Sequence, residues 1–414
     1  MSVFAAVITG KGTSAIAAVQ LFGEKADVAL KKIFVPKAHK TALFQPGQIL
    51  LGTITDGNRA IDHVTIGCEA PETFAINCHG NPIIIADIMK LLQKNGVKLL
   101  TAQQLLTKTL TAQKKFNTIE IEAKIAQLNA KTIEGTKILE NQIDIGLSKK
   151  VQNWLNSIKT TTLDEIKAGT RQILETAQTE KLIIYGCTVA IVGPPNTGKS
   201  TLLNCLAGRQ KAIVTDIKGT TRDWVSAQCK ISPLSLTLID TAGLDEELAA
   251  TPKNIIEKKA RQKSLEILAQ ADLLLLVLDN SQGTEKLNES LFEKITNKKI
   301  LTVLNKSDLP AKFNPAQLPD ALKNTVLISA KLETGIENLL NKIRQICDAA
   351  DFELNSAVCF TTRQENLLKQ LLGAKSKRKA LFVITELLNG QTNGSEHCHC
   401  EESTSGGRRS NLKL

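Results

Sequence analysis

Along the first hundred residues the apolar positions come in short runs broken by turn residues. Ala5-Ala6-Val7-Ile8, Ile49-Leu50-Leu51-Gly52-Thr53-Ile54 and His63-Val64-Thr65-Ile66 read as strands, with Asp56-Gly57-Asn58 as a hairpin-type turn between the last two. Pro82 to Asn95 changes to a helical period, with Pro at its start and Gly96 just past its end. The pattern predicts a small α+β domain over 1–110. From 111 to 185 the spacing is that of long helices, as in Ile119 to Leu128 and Val151 to Ile158, and no proline interrupts the chain between Pro82 and Pro194. The same texture returns over 351–388, beginning near Phe352 and ending near Leu388. Between these stretches, 186–350 alternates helices with near-continuous apolar runs: Thr188 to Val192, Leu236 to Asp240, Leu273 to Asp279, Ile300 to Leu304 and Thr325 to Ser329. Strands that apolar belong to a parallel sheet covered by helices on both faces. The predicted fold class is therefore α/β and α: an α/β domain inserted into a helical domain, preceded by the small α+β domain. Insertion fits a domain whose two ends lie close together. The last stretch, 389–414, is rich in Gly, Ser, Asn and Glu without any period, and is expected to be disordered.

Composition narrows the class. Of 414 residues, 42% are hydrophobic and 22% charged, which excludes a fibrous or wholly disordered chain. No apolar run approaches the roughly 18 residues of a membrane helix; the longest is Leu273 to Leu278. The N-terminus has no basic stretch ahead of its apolar residues, so it reads as a strand and not as a signal peptide. Nine cysteines, an odd number without regular spacing, argue for a reducing compartment. A cytoplasmic protein with no membrane partner is the expectation. The formal charge of +11 is spread along the chain, and aromatics make up 3%, too few for an extended base-stacking surface.

The chemistry concentrates in the inserted domain. Gly193-Pro-Pro-Asn-Thr-Gly198-Lys199-Ser200 follows a strand and opens a helix, the setting a phosphate-binding loop requires. Asn196, Thr197, Gly198, Lys199, Ser200 and Thr201 would surround the phosphates, Lys199 reaching the β- and γ-groups and Ser200 ligating Mg²⁺. Asp240-Thr241-Ala242-Gly243 ends the next buried strand, where the acid can hold Mg²⁺ through water and the glycine N–H can sense the γ-phosphate. Between them, Gly219-Thr220-Thr221-Arg222-Asp223 supplies a further hydroxyl for Mg²⁺, and the preceding Thr215-Asp216-Ile217-Lys218 belongs with it to the expected GTP-binding set. Asn305-Lys306-Ser307-Asp308 follows another strand, and the Asp308 carboxylate can accept from guanine N1–H and N2–H₂, an edge adenine does not offer. Ser329-Ala330-Lys331 completes the base pocket. In order and position these elements resemble the signature set of a P-loop GTPase, a GTP- and Mg²⁺-dependent hydrolase. Leu244 stands where many small GTPases carry a water-orienting glutamine, so water orientation and charge stabilisation must come from elsewhere. Asn196 either offers its amide oxygen to a monovalent cation or simply stabilises the loop turn.

The order of parts resembles the MnmE/TrmE family of tRNA-modification GTPases. The likeness is strongest over 188–285, in the phosphate loop, in Ala212 to Asp223 and in Asp240-Thr-Ala-Gly-Leu, and weaker in Gly10-Lys11-Gly12, Ala15 to Gly23 and Cys78-His79-Gly80-Asn81-Pro82. The resemblance implies an N-terminal folate-binding and dimerisation domain, and GTP hydrolysis activated by K⁺ and coupled to dimerisation. It also implies a role in modifying the tRNA wobble uridine with a flavin-dependent partner protein. It makes Asn196, Thr215, Ile217 and Thr220 the K⁺ ligands, Ser200 and Thr221 the Mg²⁺ ligands, and Glu257 the residue that orients water, beside Lys199 and Asn196 in catalysis.

The chain also departs from that pattern. Gln20 stands where the family has an arginine, Ala75 lies near the place of an acid, and the Cys-Ile-Gly-Lys ending is replaced by Ser-Asn-Leu-Lys-Leu. His397-Cys-His-Cys in the tail is too compact to wrap a tetrahedral ion. A folate derivative would lose expected partners. The rival expectation is a regulatory or ribosome-assembly GTPase that keeps a relic folate domain and performs no modification chemistry.

Overall fold

The computed structural model describes residues 2–10, 12–37, 44–208, 226–240, 266, 268–283 and 298–390. The N-terminal unit is built on a mixed seven-stranded sheet. Its elements are β1 (Phe4–Val7), β2 (Ile16–Phe22), α1 (Ala26–Lys31), β3 (Phe34–Pro36), β4 (Ile49–Asp56), β5 (Arg59–Ala70), β6 (Thr73–His79), α2 (Pro82–Lys94) and β7 (Lys98–Leu99), with strand order β3-β4-β5-β6-β2-β1-β7. Alternation sets the inner face: Ala17, Val19 and Leu21 of β2 are buried, as are Phe74, Ile76 and Cys78 of β6. Helix α2 closes that face with Ile88, Leu91 and Leu92. It begins where the sequence says, because the Asn81 side chain accepts from the Ile83 N–H and Pro82 has no N–H to lose. Strand β2 has no counterpart in the pattern-based prediction. Its sequence, Ile16-Ala-Ala-Val-Gln-Leu-Phe22, is apolar at six of seven positions and so shows no polar–apolar alternation.

The helical domain follows with α3 (Ala102–Gln113), α4 (Thr118–Gln127), α5 (Ile133–Asp144), α6 (Leu147–Asn156) and the long α7 (Leu163–Tyr185). Three of these start on capping boxes, Thr101 with Gln104, Asn117 with Glu120, and Thr162 with Glu165, which satisfy N–H groups that a helix start leaves without partners.

At Gly186 (φ 89°) the chain turns into the inserted domain. Here β8 (Cys187–Val192), α8 (Lys199–Gly208), β9 (Ser226–Ile231), β10 (Leu234–Asp240), β11 (Leu273–Asp279), β12 (Lys299–Asn305), β13 (Thr325–Leu327) and α9 (Ile336–Ile346) build a six-stranded sheet of order β13-β12-β11-β8-β10-β9. The sheet is parallel apart from β9, which pairs antiparallel with β10 through a tight hairpin at Ser232-Pro233. Sequence pattern missed this edge strand because only one of its faces is buried. Val189 and Ile191 pack on one side of the sheet and Ala190 and Val192 on the other, which is why the run reads as continuously apolar.

The chain then returns to the helical domain as α10 (Thr362–Leu372) and α11 (Lys377–Asn389). The stretch after Phe352 is not helical until Thr362; it is an extended return segment that carries Val358, Cys359 and Phe360 into the core. Two polar knots join the halves of this split domain. Gln142, fully buried on α5, accepts from the Leu147 and Val358 N–H groups and donates to the Ile138 and Ser356 carbonyls. Arg363 of α10 donates to both carboxylate oxygens of Glu122 on α4 at 2.6 and 2.9 Å and to the Glu386 and Leu387 carbonyls of α11. No described helix is long and apolar enough to cross a membrane.

Candidate nucleotide site

The site forms at the C-terminal edge of the inserted sheet, where β8, β10, β11 and β12 end. Between β8 and α8 the loop needs three left-handed residues, Gly193 (φ 141°), Asn196 (φ 63°) and Gly198 (φ 94°). A side chain at Gly193 would meet the Val277 carbonyl, and one at Gly198 would meet the Asn305 amide at 2.3 Å, so both glycines are fixed by space as well as by backbone angle. Asparagine is among the few other residues that tolerate this conformation. The Lys199 ammonium, 8% exposed, donates to the Gly193 and Pro194 carbonyls at 2.5 and 2.9 Å. It is therefore parked under the loop, beside the place where phosphate oxygens would draw it.

Ser200 Oγ donates to Asp240 Oδ2 at 2.6 Å, which brings together two of the three positions read from the sequence as holding Mg²⁺. Asp240 is 5% exposed, and its Oδ1 has no hydrogen-bond partner among the described residues. A buried carboxylate oxygen left unsatisfied is costly, and a hydroxyl next to such an oxygen is the hard donor set that suits Mg²⁺. Thr221 lies outside the described residues, as do Thr215, Asp216, Ile217, Lys218, Gly219, Thr220, Thr241, Ala242, Gly243, Glu257 and Leu244.

The base pocket is held by three braces. Asn305, 3% exposed, donates to the Thr197 carbonyl at 2.8 Å and accepts from the Ala330 N–H at 2.9 Å, tying the phosphate loop to the Ser329-Ala330-Lys331 turn. Lys306 (φ 63°) donates to the Asn196 carbonyl at 2.7 Å and to Asp279 at 2.6 Å. Ser329 Oγ donates to Asp308 Oδ1 at 2.6 Å, and this hydrogen bond holds the exposed Asp308 carboxyl below its usual range. Asp308 thus stays an anion with acceptor capacity to spare for a guanine edge. Thr201 and Lys331 are exposed at the rim.

Asp279, at the end of β11, escapes detection in the sequence. Burial opposes its charge, but hydrogen bonds from Lys306 and Ser281 outweigh this and keep the carboxyl low. The only local signal is an acid closing an apolar strand, which many strands share. In the N-terminal unit, Gln20 and Ala75 are direct cross-strand partners of β2 and β6, and Gln20 donates to Glu69 at 2.9 Å. The two departures from the family pattern thus form one spot on the sheet.

Comparison with known proteins bears on the whole chain. Residues 188–306 match the family model described as a 50S ribosome-binding GTPase, and residues 3–104 match that of the GTP-binding protein TrmE N-terminus. The tRNA modification GTPase MnmE of Endomicrobium trichonymphae is 32% identical over 416 residues, covering 91% of this chain and 89% of that protein. The chain belongs to the MnmE family. The MnmE proteins of Clostridioides difficile (strain 630) and Enterococcus faecalis (strain ATCC 700802 / V583) are 29% and 31% identical, covering 92% and 93% of the chain. With that membership the chain is a GTPase, a protein that hydrolyses GTP to GDP and phosphate. The MnmE-type order is also the architecture observed, a P-loop domain set within a helical domain behind a TrmE-like N-terminal unit.

Proposed function

We propose that this MnmE-family GTPase takes part in tRNA modification at the wobble uridine, through a hydrolytic cycle that is activated by K⁺ and coupled to dimerisation. The observation that carries the reading is Asn196. It sits exposed at the tip of the phosphate loop in a left-handed conformation, its carbonyl engaged by Lys306 and its side-chain amide without a hydrogen-bond partner among the described residues. An amide oxygen in that place, on a loop held from behind, is a suitable donor for a monovalent cation beside the phosphates. Thr215, Ile217 and Thr220 are the proposed companions, with Ser200 and Thr221 on Mg²⁺ and Glu257 orienting water. Bound Mg²⁺ would supply charge neutralisation at the phosphates. Lys199 would leave the Gly193 and Pro194 carbonyls for the phosphates, and Asp308 would select guanine.

The proposed partners are a second copy of the chain, docked through 1–110, tRNA, and a flavin-dependent modification protein, all in the cytoplasm. The proposed division into 1–110, 111–185, 186–350, 351–388 and 389–414 is supported by the turn at Gly186 and the return segment before Thr362. Residues 391–414 of the last segment lie outside the described residues. The test is GTP hydrolysis in KCl against NaCl. Strong activation by K⁺ that disappears in Asn196→Ala is expected; equal rates in the two salts would sink the K⁺ mechanism. Multi-angle light scattering that finds monomer alone at micromolar concentration would remove the dimer.

One observation favours a second reading. The Gln20–Ala75 spot puts neither an arginine nor an acid where the family pattern has them, and Gln20 is occupied by Glu69. These residues do not offer a folate carboxylate a cationic partner. A regulatory GTPase without one-carbon chemistry would have this N-terminal unit. Retention of the modified wobble uridine after gene deletion would favour it.

A further inference from the structure

A cleft of about 590 Å³ lies between α7 and the return segment that leaves the inserted domain, away from the nucleotide edge. Its wall carries Glu175 and Glu180 from α7, Asp348, Asp351 and Glu353 from the return segment, and a single cation, Lys150, from α6. Five carboxylates against one ammonium is a strong local bias in a chain whose formal charge is +11. Asp348 is partly neutralised by Lys299 at 2.9 Å, and the other acids make no ion pair among the described residues.

Charge alone would describe a solvated surface. Glu180 makes it a site. It is 5% exposed, it lines the cleft, and its Oε2 has no hydrogen-bond partner among the described residues. Buried polar oxygens are normally satisfied, so an orphaned carboxylate oxygen on a residue that lines a cleft calls for a donor that arrives from outside.

The donor's chemistry follows from size and spacing. A cavity of this volume is in the range of about 300–1,000 Å³ that small-molecule sites occupy. No group of three or more His, Cys, Asp or Glu among the described residues is arranged to hold a metal ion. The acids are strung along two facing segments and not gathered about one point, and Phe352 adds an apolar surface between them. We propose that this cleft binds a linear oligoamine, one ammonium donating to Glu180 and the others to Asp351 and Glu353, with the methylenes against Phe352. Burial raises the Glu180 carboxyl to about 7, so the empty cleft holds it partly as the neutral acid and an arriving ammonium favours the anion. Glu175, Asp348, Asp351, Glu353, Lys150 and, through Asp348, Lys299 are the charged groups packed around it.

The experiment is isothermal titration calorimetry of spermidine into the full-length, nucleotide-free protein at low salt. Wild type is set beside Glu180→Gln and the pair Asp351→Asn with Glu353→Gln, and thermal melts and GTP hydrolysis serve as folding controls. The expected result is one saturable site, weakened about tenfold or more in each variant. Affinity should rise about tenfold between about pH 6 and about pH 8 as Glu180 ionises. Absence of saturable binding would overturn the proposal. Binding unchanged in both variants would overturn it too, because the amine would then be held by diffuse surface charge. If MgCl₂ at matched concentration displaces spermidine completely, the cleft is a metal site and the oligoamine assignment fails.

Discussion

At Asp308 one carboxylate oxygen is held by Ser329, which leaves acceptor capacity for the N1–H and N2–H₂ of guanine. Loss of two hydrogen bonds to a charged acceptor costs about 3 kcal/mol or more, so Asp308→Ala should weaken GTP binding at least ~100-fold. Asp308→Asn should recover binding of xanthosine triphosphate, whose C2 carbonyl accepts from the new amide; nucleotide titration by fluorescence reads both. Glu180 acts on stability in the opposite sense to a paired acid. Its carboxyl is raised from 4.5 to about 7 by burial, so the folded state binds more protons than the unfolded one between those values. Stability should therefore fall as pH rises from about 4.5 through about 7, and then level off. Glu180→Gln should remove that slope and stabilise the protein at neutral pH by an amount on the order of 2 kcal/mol, visible in urea melts across pH. Residues of this kind were unequally legible. Lys199, Ser200 and Asp308 announce themselves because their loops are contiguous motifs. Asp279 and Glu180 do not, because what distinguishes them is a partner, or a missing one, from another part of the chain.

Helix starts and buried strands depend on residues within a few positions of one another, which is why α2, β8 and β11 could be placed from sequence. What joins elements is another matter. Glu122 and Arg363 are separated by 241 positions and meet as a two-point ion pair between α4 and α10, with Gln364 donating to the same carboxylate at 2.8 Å. Nothing in either local sequence names the other. Replacing Arg363 with Met leaves Glu122, 18% exposed, with one neutral donor, and should cost about 2–4 kcal/mol in chemical denaturation. Lys181 of α7 and Lys369 both donate to Glu365, and these bonds pull its carboxyl down to about 2. That contribution is present above about 4.5 and is lost as pH falls toward about 2. In acid titrations followed by circular dichroism, Glu365→Gln should therefore unfold less steeply than wild type.

For the whole molecule, the decisive arrangement is how the inserted domain is attached. The chain enters it at Cys187 and leaves at Cys347, and the two sulfurs are 4.0 Å apart in the buried neck. The hydrogen bond to Cys347 and burial push the Cys187 thiol far up, so Cys187 rests as a thiol. With its ends together, the fragment 187–347 should fold and bind GTP alone, and a chain in which a short linker replaces it should keep the helical content of the remainder. Size exclusion and circular dichroism of the two products would show this, and aggregation of both would contradict it. A second touch lies off the neck, where Ser232 of the β9–β10 hairpin donates to Glu134 of α5 at 2.6 Å and Arg344 donates to the Ser232 carbonyl. Strand β10 runs from that hairpin to Asp240, and β8 runs from the neck to the phosphate loop.

The geometry of those two strands has a mechanical reading. The inserted sheet shares one hydrophobic cluster with the helices, through Ile183 and Ile184 beside Cys187 and Val189, so any tilt of the inserted domain would have to turn about the neck and slide over that seam. Strand β8 is six residues long and so sets a lever arm of roughly 20 Å between pivot and phosphates. Over that arm a slight turn at the neck would become a larger displacement at the far rim. By the same ratio, a displacement imposed at the rim would reach the helices reduced in size and increased in force.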